Sequence, residues 1–157
     1  MAEEELPPEE YAGEEPADDG GDWIGPENVS LEYLHAVFEA VGFTATVDAA
    51  KGTIRIQGED IVARVQLSED NEQLMTTAFY TIKPTTARDK RLELANRINQ
   101  TPVMVKAWID EDGDLGFRYI LFLVGGVTVD GLANVVRTFI DSVKFSVETL
   151  DTAGIIS

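Results

Sequence analysis

Asp110, Glu111, Asp112 and Asp114 put four carboxylates into five residues of the stretch IDEDGDLGF. Such a cluster could hold a cation, or supply the acid and base of glycoside chemistry. Neither pattern fits. Counted from Asp110, a calcium loop of the EF-hand type needs Gly at position six and Glu at position twelve, where this chain has Leu115 and Leu121. An acid–base pair needs a cleft that raises one carboxyl pKa. Here two strand-like runs flank the acids, VMVKAWI (103–109) and LGFRYILFLV (115–124), and Asp112-Gly113 suits a two-residue hairpin turn. The stretch reads as a turn whose carboxylates fan into water.

Other chemistry-bearing residues are sparse. His35 is the single histidine. It sits beside an apolar helical stripe with no marked nucleophile or metal-ligand partner, and reads as structural. Gly125-Gly126 precede a helix start, where backbone N–H groups can hold an anion. No Lys follows, and the spacing matches neither the Walker loop nor the dinucleotide fingerprint. A tight strand-to-helix turn remains. Lys83, Arg88, Lys90, Arg91 and Arg97 place five of the twelve bases on or beside one helix. The plain reading is a solvated charged face. The functional reading makes Arg88 and Arg91 part of a basic surface, screened by the acidic N-terminal segment until an acidic partner displaces it. With no nucleophile–base pair and no cofactor or metal motif, the sequence predicts a protein that is not an enzyme.

Charge and composition narrow the class. The net charge is −17, but residues 1–29 hold 11 of the 29 acids, none of the bases and four of the six prolines. Like charge with few apolar groups predicts a disordered acidic tail, with Trp23 and Ile24 near its end docking on the domain. Cysteine is absent, which excludes disulfides and thiolate nucleophiles and fits a reducing compartment. The N-terminus lacks the basic flank and apolar stretch of a signal peptide. The longest apolar run, 119–127, is nine residues, against the ~20 that a membrane helix needs. A cytoplasmic protein with no membrane partner is expected. The acidic balance argues against nucleic acid.

The positioning elements follow from periodicity. Leu31, Leu34, Phe38 and Val41 recur at helical spacing, with Ser30 as N-cap, Val29 as staple and Gly42 as stop. TATVD (44–48), TIRIQ (53–57), IVARVQL (61–67) and QLMTTAFYTI (73–82) are strand runs separated by turn residues. A second helix is expected over 87–100, burying Leu92, Ala95 and Ile98. Two strands follow, then a helix over 127–150 capped by Thr128. The order α-ββββ-α-ββ-α predicts an α+β fold with helices on an antiparallel sheet. The domain spans 30–150, with residues 151–157 as a C-terminal extension.

Several strands are apolar on both sides. Val103, Val105, Ala107 and Ile109 alternate with Met104 and Trp108. Phe117, Tyr119 and Leu121 alternate with Ile120 and Phe122, and Leu74 and Ala78 with Met75 and Phe79. Helices on one face alone do not need this. Either helices cover both faces, or the second face meets another chain.

The series LEYLHAVFEAVGF, short strands, LANRINQ, then FRYILFLVGGVTVDGL before a long helix, resembles the YbjN family. Its members are bacterial proteins labelled sensory transduction regulators. The resemblance covers about residues 30–150 and includes the Asn96/Asn99 pair. It implies a fold similar to type III secretion chaperones, often dimeric, that binds other proteins. It carries over no catalytic residues. The expected function is a protein-binding module, chaperone-like or regulatory, whose partner is another protein or a second copy. Phe79, Trp108, Ile120 and Phe122 would form its surface. The alternative is a small-metabolite sensor with a pocket between helix three and the sheet.

Overall fold

The structure, a computed structural model, describes residues 23–157. Ser30 opens the first helix in extended backbone, its hydroxyl accepting from the Tyr33 N–H at 3.1 Å. That helix, α1 (Leu31–Ala40), buries Leu34, Val37 and Phe38. Gly42 ends it with a φ of 92°, a left-handed value that glycine adopts without penalty.

Four strands follow as a meander: β2 (Thr44–Asp48), β3 (Thr53–Gln57), β4 (Val62–Leu67) and β5 (Gln73–Tyr80). After α2 (Arg88–Gln100), the hairpin β6 (Lys106–Ile109) and β7 (Leu115–Phe122) joins the meander because β7 pairs with β5. One six-stranded antiparallel sheet results, in the order β2-β3-β4-β5-β7-β6. Thr128 caps α3 (Val129–Phe145), its hydroxyl 3.0 Å from the Gly131 N–H. A π-helical turn (Ser146–Leu150) extends α3.

Both ends of the described chain are fastened to this body. β1 (Trp23–Ile24) pairs with the short β8 (Val127–Thr128), and Ile24 is fully buried. Residues 23–29, grouped with the tail from sequence, therefore join the domain. The expected disorder of residues 1–22 lies outside the described residues. At the other end Ile156 bridges Ile82, and the Ser157 N–H donates to Thr81 O at 2.9 Å.

Two expectations change in detail. α2 buries Leu94, Ala95 and Ile98, and Leu92 is 41% exposed. A spacing of three drifts about 60° round the helix at each step, so Leu92 leaves the side that Leu94 and Ile98 share. β6 starts at Lys106, not Val103. Pro102 lies in the bend, and the Val103 N–H is taken by Thr101 O at 2.7 Å, so the chain turns before it can pair.

All three helices bury their apolar sides in one cluster with Ile54, Ile56, Ala63, Val65, Leu74, Ala78, Ala107, Leu115 and Phe117. These strand residues share one face by register. The other face has no helix upon it among the described residues.

Candidate protein-binding face

The acidic run at 110–114 is a turn. The Asp110 N–H donates to Asp114 O at 3.0 Å, and Gly113 takes a φ of 87°. This makes a three-residue loop of Glu111, Asp112 and Gly113, one residue longer than expected, with glycine in the left-handed position. Two of its acids do not fan into water. The Asp110 carboxylate accepts from the Asp114 N–H at 2.8 Å, and the Asp114 carboxylate from the Ile82 N–H at 3.2 Å. Among the described residues no three carboxylate or imidazole groups converge as a metal site. The His35 ring is tied to Ala45 O at 3.2 Å. Gly125 and Gly126 both have positive φ and form the turn after β7, where the Gly126 N–H meets Leu123 O at 2.9 Å.

The bases of α2 are largely engaged. Arg91 donates to the carbonyls of Thr86, Gly113 and Pro84. It ties the helix start to the β6–β7 turn. Arg97 reaches Leu150 O at 2.9 Å. Lys90 and Glu93 pair at 2.8 Å. That hydrogen bond lifts the Lys90 ammonium above its usual pKa and holds the Glu93 carboxyl below its own. Arg88 is exposed. The structure does not bring Arg88 and Arg91 to the aromatic residues of the sheet.

It does bring Phe79 and Trp108 together, and sets Ile120 and Phe122 further along the same face. In the outer face, Phe79, Gly116 and Trp108 stand side by side across β5, β7 and β6. Met75 faces Ile120, and Gln73 faces Phe122. The indole of Trp108 lies over Gly116, where an added Cβ would meet Cζ2 at 2.5 Å. Phe79 meets it edge-on with centroids 5.6 Å apart, and the Arg118 guanidinium sits 5.4 Å from its centroid. Trp108 is thus wedged and half-buried, while Phe122 is 62%, Phe79 43% and Ile120 37% exposed. Two shallow depressions flank Ile120, one lined by Met104, Lys106 and Arg118, the other by Gln66, Gln73 and Met75.

Register also assembles a feature that strand-by-strand reading misses. Arg55 faces Arg64, Arg64 faces Thr77, Thr77 faces Arg118, and Arg118 faces Lys106. Four cations thus form one row across five strands. Each sits alone in its own run, so no local signal marks them. Between α3 and the sheet, the place of the alternative small-ligand pocket, Leu132, Val136, Phe139 and Val143 are fully buried. Side chains fill that space.

A six-stranded antiparallel sheet with helices, among the described residues, on one face is an α+β fold shared with type III secretion chaperones. One chain of the HopA1–SchA chaperone–effector complex superposes with a TM-score of 0.52 at 11% identity, covering 74% of this chain and 95% of that one. A chain from the complex of the Yersinia pestis type III secretion chaperone SycH with a YscM2 fragment gives 0.50 at 12% identity, covering 73% and 98%. The crystal structure of E. coli YbjN gives 0.68 at 18% identity, covering 82% of this chain and 96% of that one. The sequence profile of the YbjN family, described as "Putative bacterial sensory transduction regulator", matches residues 30–151, and the chain belongs to that family. No curated protein matches the sequence.

Proposed function

We propose that the protein is a non-enzymatic binding module, chaperone-like or regulatory, that engages a protein partner or a second copy through the outer face of its sheet. The observation that carries this is the exposure of Phe79 beside the wedged Trp108, and of Ile120 and Phe122 beyond the Arg118 row, on a face that bears no helix among the described residues. Large apolar side chains exposed on one face of a sheet mark an interaction surface. The chaperone–effector and SycH–YscM2 complexes, whose chains share the fold, support a protein as the ligand. No helix of the described residues is long and apolar enough to cross a membrane.

The test is capture of the tagged full chain from its host after mild cross-linking, with Phe122→Glu in parallel. Phe122 is exposed, so the variant should melt like the parent, within about 0.5 kcal/mol. A stoichiometric companion, or a self-cross-link, that is lost in Phe122→Glu and in Trp108→Glu is the expected result. A companion retained equally by parent and both variants would remove the outer face as the binding surface.

A further inference from the structure

The row of Arg55, Arg64, Arg118 and Lys106 is costly to the isolated domain. Arg55 and Arg64 are direct cross-strand neighbours, and so are Arg118 and Lys106. Like charges directly opposite destabilise a sheet. Among the described residues none of the four takes part in an ion pair. Within the strands of the outer face the one carboxylate is Asp48, at the β2 edge. Such a row sits on a chain of net charge −17. Its cations would be neutralised by an acidic segment laid across the strands.

We infer that residues 1–22 of this chain are that segment, covering the outer face in cis. This rests on the reading of the face as a binding surface and makes the segment its regulator. These residues hold ten acids and no base. The described chain begins at Trp23, paired to Thr128 just beyond the end of β7. Arg118 lies four residues back along β7 from Phe122, about 13 Å. Twenty-two residues extend up to about 75 Å, so the row is within reach. It spans five strands at about 4.8 Å spacing, roughly 19 Å, the length of some six extended residues. Glu14, Glu15, Asp18 and Asp19 fall within six residues. The loops at the ends of the strands are acidic, with Glu59 and Asp60 on one side and Glu69, Asp70 and Glu72 on the other. Carboxylates are repelled there and drawn to the middle row. Tethering raises the local concentration to the millimolar range, so a weak electrostatic contact is populated in cis. An acidic partner would displace it.

The absence of cysteine allows a single spin label at Ala17→Cys on the full chain. Amide signals of Thr77, Arg118 and Ile120 should broaden at 0.01 M salt and recover at 1 M, where the Debye length falls from about 30 to about 3 Å. Broadening should also vanish in Arg64→Gln/Arg118→Gln, whose two sites are exposed. Absence of broadening on the sheet, or broadening confined to α2, would overturn the proposal. So would broadening seen only when labelled and isotope-marked chains are mixed, which would assign the contact to a second copy. Companion capture reads the face independently. If Phe122→Glu loses its companion while no broadening is seen, the binding surface stands and the cis segment falls.

Discussion

Asn99 decides how the open edge of the sheet is closed. β6 is an edge strand, and an unpaired edge is a template for association. The Asn99 amide donates to Ala107 O at 2.9 Å and accepts from the Ala107 N–H at 2.8 Å. One side chain thus replaces a neighbouring strand at a residue that is itself 4% exposed. In Asn99→Ala both bonds are lost, at about 0.5–1.5 kcal/mol each, so about 2 kcal/mol together. With a urea m-value near 2 kcal/mol/M, the unfolding midpoint falls by about 1 M. Asn96→Ala is the control. Asn96 is exposed on the same helix and makes no side-chain hydrogen bond among the described residues. Any gain in helix propensity is shared by the two variants, so the difference between them isolates the edge bonds. Amide exchange at Ala107 should also accelerate in Asn99→Ala alone. Midpoints within about 0.2 M of each other, with unchanged Ala107 exchange, would refute the assignment.

Two further outcomes follow from the geometry. Gly116→Ala places a Cβ 2.5 Å from the Trp108 ring, and calorimetry should show a loss of about 1–3 kcal/mol that shrinks towards zero in a Trp108→Ala background. The Asp70 carboxyl is held below its usual pKa by the Ser68 hydroxyl and then by the Glu72 N–H. A depressed folded pKa stabilises the fold above the unfolded value, and that contribution is lost as pH falls through the folded one. In Ser68→Ala the Asp70 titration, followed by NMR, should move up towards the ordinary carboxylate range. A titration that stays in place would show that the hydroxyl is not the cause.

The segments were legible because their signals are local. Ser30 and Thr128 are caps by residue type and position, and both hydroxyls bond where the spacing demands. TATVD and TIRIQ pair over the residues their alternation marks out. Phe79, Trp108, Ile120 and Phe122 were visible as a second apolar set. Alternation alone left their face undetermined, since helices on the far side would explain it equally well. Packing resolved this: α1, α2 and α3 all bury into one side. On α2 the spacing of three that links Leu92, Ala95 and Ile98 looks helical, yet Leu92 drifts off the stripe that Leu94 and Ile98 keep.

The sequence by itself determined the caps, the meander, the turn at 110–114 and the family, since each depends on residues close in the chain or on their order. Only the tertiary structure decided what lies side by side. The pairing of β5 with β7 sets Phe79 beside Gly116, the glycine that the β6–β7 pairing places under Trp108, and aligns Arg118 with Arg64 across Thr77. Those contacts join residues from four strands, and a shift of one residue in any pairing would send the side chains to the opposite face. Register is a property of the assembled sheet, so the cation row and the aromatic surface exist only once it has formed.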